Sequence, residues 1–135
     1  MYCCYDGLVL LGVVDRFDEQ LLLWNPSIRE SLVLPHPKFT LSESTFGLGF
    51  DATSDDYKIL KIHPNDRLFP KPSSVILALK SGSWRRNCNP PNGSSIPLRD
   101  SSHLLHPLVF VHGAFHWVGF GQYYRLVSFS ISNEV

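Results

Sequence analysis

The chain has 135 residues, of which 44% are hydrophobic, 13% aromatic and 18% charged, so it is predicted to form one globular domain over residues 1–135 rather than a disordered or coiled-coil chain. Twelve Lys and Arg residues balance twelve Asp and Glu residues, which gives a formal net charge of zero. Neither nucleic acid nor an anionic membrane is expected as a partner, because both normally require a basic surplus.

Cysteine usage and the N-terminal residues indicate a compartment. Cys3, Cys4 and Cys88 make a poor disulfide framework, because their number is odd and adjacent cysteines cannot bridge without strain. We expect reduced, buried thiols and a cytoplasmic or nuclear protein that is not secreted. The apolar run at residues 8–14 has no basic segment before it, and no run approaches the ~20 residues of a membrane span.

The first third of the chain predicts a three-stranded meander over residues 8–14, 20–24 and 31–34. Leu21 to Trp24 are four consecutive apolar residues, too few for a helix, and Trp24 is expected in the core. Asn25, Pro26 and Ser27 follow as a turn, because Pro26 fixes φ and its neighbours hydrogen-bond nearby backbone.

The middle of the chain predicts four more extended segments. Residues 46–50 alternate large apolar side chains with Gly47 and Gly49, a pattern that lets a neighbouring sheet approach closely. Residues 57–62 read as a strand, and residues 75–79 and 84–87 read as two strands joined by a hairpin turn.

The last third begins with a proline- and serine-rich stretch, residues 89–107, which predicts a long loop. A hairpin follows over residues 108–118, and residues 125–131 close the chain as a strand. No stretch of ten residues shows a helical period, so the sequence predicts an all-β fold.

Strand–turn–strand units recur along the chain. Residues 23–27 align with residues 78–82 and then with residues 128–132, in steps of 55 and 50, and Asp6-Gly7 aligns with His112-Gly113. A period near 50 is typical of kelch-like antiparallel blades in a β-propeller, and 135 residues would hold about two and a half blades. We therefore predict an incomplete β-propeller; a β-sandwich with repeated hairpins is the alternative.

Several motifs occur in the order found in one family. These are Cys4-Tyr5-Asp6-Gly7-Leu8-Val9, Leu23-Trp24-Asn25-Pro26-Ser27-Ile28-Arg29, Phe46-Gly47-Leu48-Gly49-Phe50-Asp51, Asp55-Asp56-Tyr57-Lys58-Ile59, Ser83-Trp84-Arg85 and Val111-His112-Gly113-Ala114-Phe115-His116-Trp117. The chain resembles the F-box-associated domain of plant F-box proteins over nearly its whole length. That resemblance implies a substrate-recognition module of an SCF-type ubiquitin ligase, which holds a target protein while a separate F-box binds the ligase adaptor.

The chain departs from the family pattern in two respects. No helical F-box precedes Met1, and the last blades of the family domain are missing. We therefore expect the ligase adaptor as a partner only if an F-box is present elsewhere in the gene product. The alternative is a truncated interaction domain, or an inactive copy, without a ligase role.

The sequence contains only incomplete versions of metal-binding and catalytic motifs. His112 and His116 have metal-ligand spacing but flank a hairpin glycine, and residues 51–62 lack the glycine and glutamate of a calcium loop. Asp100, Ser101 and His103 have the side chains of a hydrolase triad without a nucleophile elbow. We expect no enzyme activity, no metal and no cofactor.

Partner-binding candidates are aromatic and arginine residues, which dominate protein interfaces. They are Arg85, Arg86, Tyr123, Tyr124 and Arg125. In the alternative interpretation, Trp84 fills a blade core and the two arginines lie on a solvated edge. The loop at residues 89–107 is a further candidate. A glycan-binding propeller would instead require exposed tryptophans in one groove.

Overall fold

The computed structural model describes residues 2–16, 18–36, 44–63, 73–87, 96–97, 108–120 and 124–134. In these ranges every regular element is a β-strand, which confirms the all-β prediction. The strands are β1 (Cys3–Tyr5), β2 (Leu8–Asp15), β3 (Asp18–Asn25), β4 (Glu30–Val33), β5 (Thr45–Asp51), β6 (Asp56–His63), β7 (Ser73–Ala78), β8 (Ser83–Arg86), β9 (Ile96–Pro97), β10 (Val109–Val111), β11 (Ala114–Phe120) and β12 (Tyr124–Ser130).

The strands form three antiparallel sheets. Sheet 1 has the order β1-β2-β3-β4 and sheet 2 the order β5-β6-β7-β8. Sheet 3 has the order β10-β11-β12, and β9 also pairs with β11. Sheet 1, sheet 2 and the β10-β11-β12 part of sheet 3 are meanders of sequence-consecutive strands, as in the blades of a propeller. The predicted partial β-propeller is confirmed, with three sheets rather than two and a half blades.

The repeat is seen in the turns that follow equivalent strands. The third strand of each sheet ends in a four-residue turn, at residues 26–29, 79–82 and 131–134, so the turns recur in steps of 53 and 52. The predicted steps of 55 and 50 were wrong by two residues, because residues 23–27 align with residues 76–80 rather than 78–82. The fourth turn residue is left-handed each time: Arg29 has φ 54°, Gly82 67° and Glu134 58°. Equivalent positions in the three sheets can therefore be assigned by counting back from these turns.

Two two-residue turns support the same repeat. Asp6 and Gly7 join β1 to β2 with φ values of 51° and 77°, and His112 and Gly113 join β10 to β11 with 50° and 76°. Positive φ at both positions is the type I′ hairpin geometry, which matches the twist of the flanking strands. The predicted equivalence of these two turns is confirmed.

Two apolar cores lie between the three sheets, one on each face of sheet 2. Leu10, Leu21 and Leu23 of sheet 1 pack against Ile59 and Leu77 of sheet 2. On the other side of sheet 2, a second cluster joins it to sheet 3, and its buried members are Leu60, Ile62, Ile76, Leu108, Phe115, Trp117, Phe129 and Ile131. Sheet 2 is therefore covered on both faces, which explains why its strands are apolar on both sides.

Gly47 and Gly49 allow the close approach that the sequence predicts. A Cβ at Gly47 would lie 2.7 Å from the Phe115 ring and 2.9 Å from Leu108 Cβ. A Cβ at Gly49 would lie 2.6 Å from the Phe110 ring. Rings from sheet 3 thus occupy the space that side chains would otherwise fill on β5.

Four sequence-based expectations need correction. Cys3–Tyr5 is a strand that the sequence did not predict, because three residues are too few to show a period. The predicted loop at residues 89–107 contains β9, which pairs with Gly119 and Phe120, and its remaining residues lie outside the described ranges. Trp24 is 38% exposed rather than in the core, and Cys4 is exposed, whereas Cys3 is buried as expected.

Candidate protein-binding surfaces

Hydrogen bonds between turns gather one end of each sheet into a common surface, which we call the turn end. The Tyr57 hydroxyl donates to Asp6 Oδ2 at 2.6 Å, which joins sheet 1 to sheet 2. The Ser132 hydroxyl donates to Asp51 Oδ1 at 2.8 Å, which joins sheet 2 to sheet 3. The hydrogen bond to Asp6, followed by burial, raises the pKa of Tyr57 to about 12.

Asp51 is the centre of this network. Its carboxylate accepts hydrogen bonds from the Thr53 N–H at 3.0 Å and the Ser54 hydroxyl at 2.9 Å, and Lys58 Nζ lies 2.8 Å away. Burial acts to raise the pKa of Asp51, but these donors and Ser132 outweigh it and hold the pKa far below its usual range. The residues that resemble a calcium loop are a hairpin whose carboxylate is already neutralised by a lysine.

Arg85 belongs to the same network. Its guanidinium forms an ion pair with Glu134, the last residue of the turn after β12, and Glu134 also lies 3.3 Å from Lys58 Nζ. About half of the Arg85 side chain stays exposed, so a partner could still reach it. Arg86 is exposed on β8, as the solvated-edge interpretation expects.

The five predicted partner-binding residues do not form one patch in the described part of the chain. Tyr123 lies outside the described residues, and the backbone places Tyr124 and Arg125 at the start of β12. Arg85 reaches the turn that follows the other end of β12, about 20 Å away for the six steps of ~3.3 Å between the seven residues of the strand. The Arg85 ion pair and the start of β12 therefore lie at opposite ends of the fold.

The opposite end, which we call the loop end, is where β4, β6 and β8 finish and where β5, β7 and β12 begin. The strand ends there are separated by long stretches of sequence, residues 34–44, 64–72 and 87–95, most of which lie outside the described ranges. A rigid scaffold with long connections at one end is the usual arrangement of binding proteins.

Ionisable side chains also lie near the loop end. Lys61 of β6 is almost fully buried, and burial lowers its pKa to about 8, an effect that the charge of Glu19 partly opposes. Beside it in sequence, His63 Nδ1 lies 3.4 Å from the Ser44 hydroxyl.

The three tryptophans lie in three different sheets. Trp24 is on the outer face of sheet 1, and Trp117 is buried against sheet 2. Trp84 packs at the margin of the first core, where its Nε1–H donates to the Pro35 carbonyl at 2.8 Å. Trp84 thus has the structural role of the alternative interpretation, and the tryptophans do not share the groove that glycan binding requires.

The described residues contain no group of three metal-ligating side chains. His116 is instead tied to its own sheet: Nδ1 lies 2.8 Å from the Ser128 hydroxyl and Nε2 lies 3.2 Å from the Val111 carbonyl. The same part of the chain has no helix long and apolar enough to cross a membrane.

Sequence reasoning missed two exposed apolar faces. The outer face of sheet 1 presents Val13, Trp24 and Val33, and the outer face of sheet 3 presents Val118 and Leu126. The available signal was the unbroken apolar run at residues 21–24, which gives β3 an apolar side chain on both faces.

A family match identifies the chain. The model of the F-box associated beta propeller domain matches residues 1–135. The chain belongs to this family. Three sequential antiparallel meanders with propeller-like turns are the fold that membership implies.

Curated relatives agree with the assignment. The F-box/kelch-repeat protein At3g23880 of Arabidopsis thaliana is 25% identical over 134 residues, which cover 95% of this chain and 35% of the relative. F-box protein CPR1 of the same plant is 32% identical over 116 residues, which cover 73% of this chain and 28% of the relative. The chain thus spans about a third or less of the length of these relatives. No solved structure matches it.

Proposed function

We propose that this F-box associated domain is a protein-binding module that holds a target for an SCF-type ubiquitin ligase. The observation that carries the proposal is the family match over residues 1–135, together with relatives that are named F-box proteins. The chain contributes affinity for a protein rather than a catalytic step. We place it in the cytoplasm or nucleus, where Cys3 stays reduced.

The loop end is the proposed target-binding surface. The turn end is tied together by the Asp6, Asp51 and Glu134 contacts, so its polar groups are largely satisfied within the chain. Tyr124 and Arg125 begin β12 at the loop end, and such residue types dominate protein interfaces. Arg86, the last residue of β8, extends the candidate surface. Arg85 instead forms an ion pair with Glu134 at the turn end.

Two measurements test the proposal. The tagged chain is expressed in plant cells, its neighbours are identified by proximity labelling, and each is tested for direct binding to the purified chain. We expect at least one protein to bind directly and to be degraded more slowly when the proteasome is inhibited. Tyr124→Ala with Arg125→Ala should weaken that binding, whereas Asp55→Ala, at an exposed turn-end position, should not.

Purification of the full gene product with the ligase adaptor decides the ligase role. Co-purification that requires a helical F-box segment outside residues 1–135 supports it. Direct target binding by a gene product that never carries the adaptor would favour a non-ligase interaction module. Absence of any direct binder would contradict both.

A further inference from the structure

Four side chains gather where sheet 1 meets sheet 2 at the turn end. Tyr5 and Asp6 come from the end of β1 and the turn after it, and Phe50 and Tyr57 come from β5 and β6. The Phe50 and Tyr57 rings meet in a T-shaped contact with centroids 5.0 Å apart, and Tyr5 and Tyr57 pack on the same apolar core. The Tyr57 hydroxyl donates to Asp6. We call these four residues the aromatic–acidic cluster.

The repeat shows that the blade fold does not require the two tyrosines. The equivalent residues of the second strands, each paired with the residue three positions before a turn, are Leu10, Leu60 and His116. Counted from these residues and their partners on the first strands, Gly49 of sheet 2 is equivalent to Tyr5, and Gly113 of sheet 3 is equivalent to Tyr57. The contact between sheets 2 and 3 therefore has two glycines where the contact between sheets 1 and 2 has two phenols.

The cluster is partly open to solvent, and its carboxylate has no cationic partner in the part of the chain that the structure describes. Asp6 is exposed, and the three rings are half-buried. Three other carboxylates of the turn end form ion pairs, with Lys58, Lys80 and Arg85, whereas Asp6 forms none with a described lysine or arginine. The cluster thus combines aromatic rings with a carboxylate that is accessible to a cation.

The cluster is held in place by contacts with all three sheets. The Tyr5 ring meets the Phe110 ring of sheet 3 in a T-shaped contact with centroids 4.9 Å apart. Asp6 is fixed in its hairpin turn with a φ of 51°, and its Oδ2 lies 2.6 Å from the Tyr57 hydroxyl. Side chains that are already ordered lose little conformational entropy when a partner binds.

We propose that the aromatic–acidic cluster binds an arginine side chain of a partner protein. A guanidinium is planar and weakly hydrated, so it stacks on aromatic rings while its N–H groups donate to a carboxylate. Tyr5 and Tyr57 supply the rings, and Asp6 supplies the charge-assisted hydrogen bonds. The half-buried rings make an open site that suits one side chain of a protein, whereas a free small ligand is normally enclosed over most of its surface. This inference depends neither on the ligase role nor on the loop end.

Nuclear magnetic resonance titration of the purified chain with a capped Gly-Arg-Gly peptide tests the proposal. We expect saturable shifts of the backbone amides at residues 5–7 and 50–57, with a dissociation constant of about 1–10 mM for a single side chain. The arginine δ-methylene protons should shift upfield, because they lie over aromatic rings in the complex. The matched citrulline peptide keeps the shape of the side chain without its charge and should bind at least about 5-fold more weakly.

Variants of the chain locate the site. Asp6→Asn removes the charge, keeps an acceptor for Tyr57 and suits the left-handed turn, and it should weaken binding of the arginine peptide at least about 5-fold. Tyr5→Leu, which keeps an apolar side chain on the core, should weaken it at least about 3-fold. Asp55→Asn, at another exposed turn-end carboxylate, should leave it unchanged.

Circular dichroism verifies that each variant keeps its strand content. The proposal would be overturned by binding that does not saturate by about 50 mM, by equal affinity for the citrulline peptide, or by unchanged affinity in Asp6→Asn or Tyr5→Leu. Tighter binding of free arginine than of the capped peptide would likewise overturn the assignment to a protein side chain.

Discussion

Lys58 Nζ lies 2.8 Å from Asp51 Oδ2, and both side chains are more than nine-tenths covered. The two residues belong to sheet 2, but Ser132 and Glu134 of sheet 3 complete their hydrogen bonding. A buried ion pair adds little stability over an apolar pair, whereas removal of one partner is costly. The ionised Asp51 carboxylate therefore helps to hold sheet 3 against sheet 2, and we expect this contact to weaken when Asp51 is protonated.

Asp51→Asn should lower the free energy of unfolding by about 2–3 kcal/mol at pH 7, because Lys58 keeps only Glu134 as a charged partner. The native pKa of Asp51 lies below its unfolded value, so its contribution is complete above about pH 5 and is lost as the pH falls below about 4. Urea unfolding at pH 7, 5, 4 and 3 measures both effects. Asp55→Asn, at an exposed position in the same turn, is the control, and an equal loss there would contradict the assignment.

Gly47→Ala should destabilise the chain by about 1–3 kcal/mol, because the new methyl group would meet both the Phe115 ring and the Cβ of Leu108. Gly12→Ala is the matched control. Its methyl group would meet only the outer end of the Tyr2 side chain, which can swing away. Thermal unfolding of both variants should show the larger loss for Gly47→Ala, and the reverse order would contradict the close approach of sheets 2 and 3.

Lys61 should make the chain more stable as the pH rises from 8 to 10. Burial lowers its native pKa to about 8, below the unfolded value of about 10.4, so the unfolded state binds more protons across this window. The gain should be about 2 kcal/mol at most. Above pH 10 the raised pKa of Tyr57 reverses the trend, because the folded state then holds the extra proton.

Lys61→Met is the matched variant for this pH dependence. It should flatten the rise in unfolding free energy between pH 8 and 10, as measured by urea titration at half-unit steps. An unchanged slope in Lys61→Met would show that another group titrates in this window.

Ser74→Ala should raise the free energy of unfolding by about 1 kcal/mol. Among the buried side-chain nitrogen and oxygen atoms of the described residues, the Ser74 hydroxyl is the one without a hydrogen-bond partner. Its equivalent in sheet 1 is Leu21, so an apolar side chain suits this position in a blade. Ser83→Ala, on the exposed strand β8, should change stability by less than about 0.5 kcal/mol.

Arg85→Ala should lower the stability of the chain, whereas Arg86→Ala, a change at the neighbouring partner-binding candidate, should not. The half-exposed ion pair of Arg85 with Glu134 is worth about 0.5–1 kcal/mol, whereas Arg86→Ala should leave stability unchanged within about 0.5 kcal/mol. Denaturant unfolding at low and high salt measures the difference, which salt should reduce. Equal values for both variants would contradict a structural role for Arg85.

The sequence predicted features that depend on local pattern. Alternating apolar residues and turn chemistry located most strands, and Gly47 with Gly49 predicted where a second sheet would approach. Trp24 was placed wrongly because burial depends on what covers an outer face, which a strand's own composition does not show. Arg85 and Glu134 are 49 residues apart in sequence, so their ion pair could not be inferred from spacing.

The sandwiched position of sheet 2 has a consequence for hydrogen exchange. Every strand pairing in sheets 1 and 2 joins sequence neighbours, so each meander can form early, before long-range contacts exist. Sheet 1 and sheet 3 can then detach separately, each by opening a single core, whereas β6 becomes accessible only when both cores open. The backbone amides of β6 should therefore exchange with solvent last, which makes the middle of the chain its slowest kinetic unit.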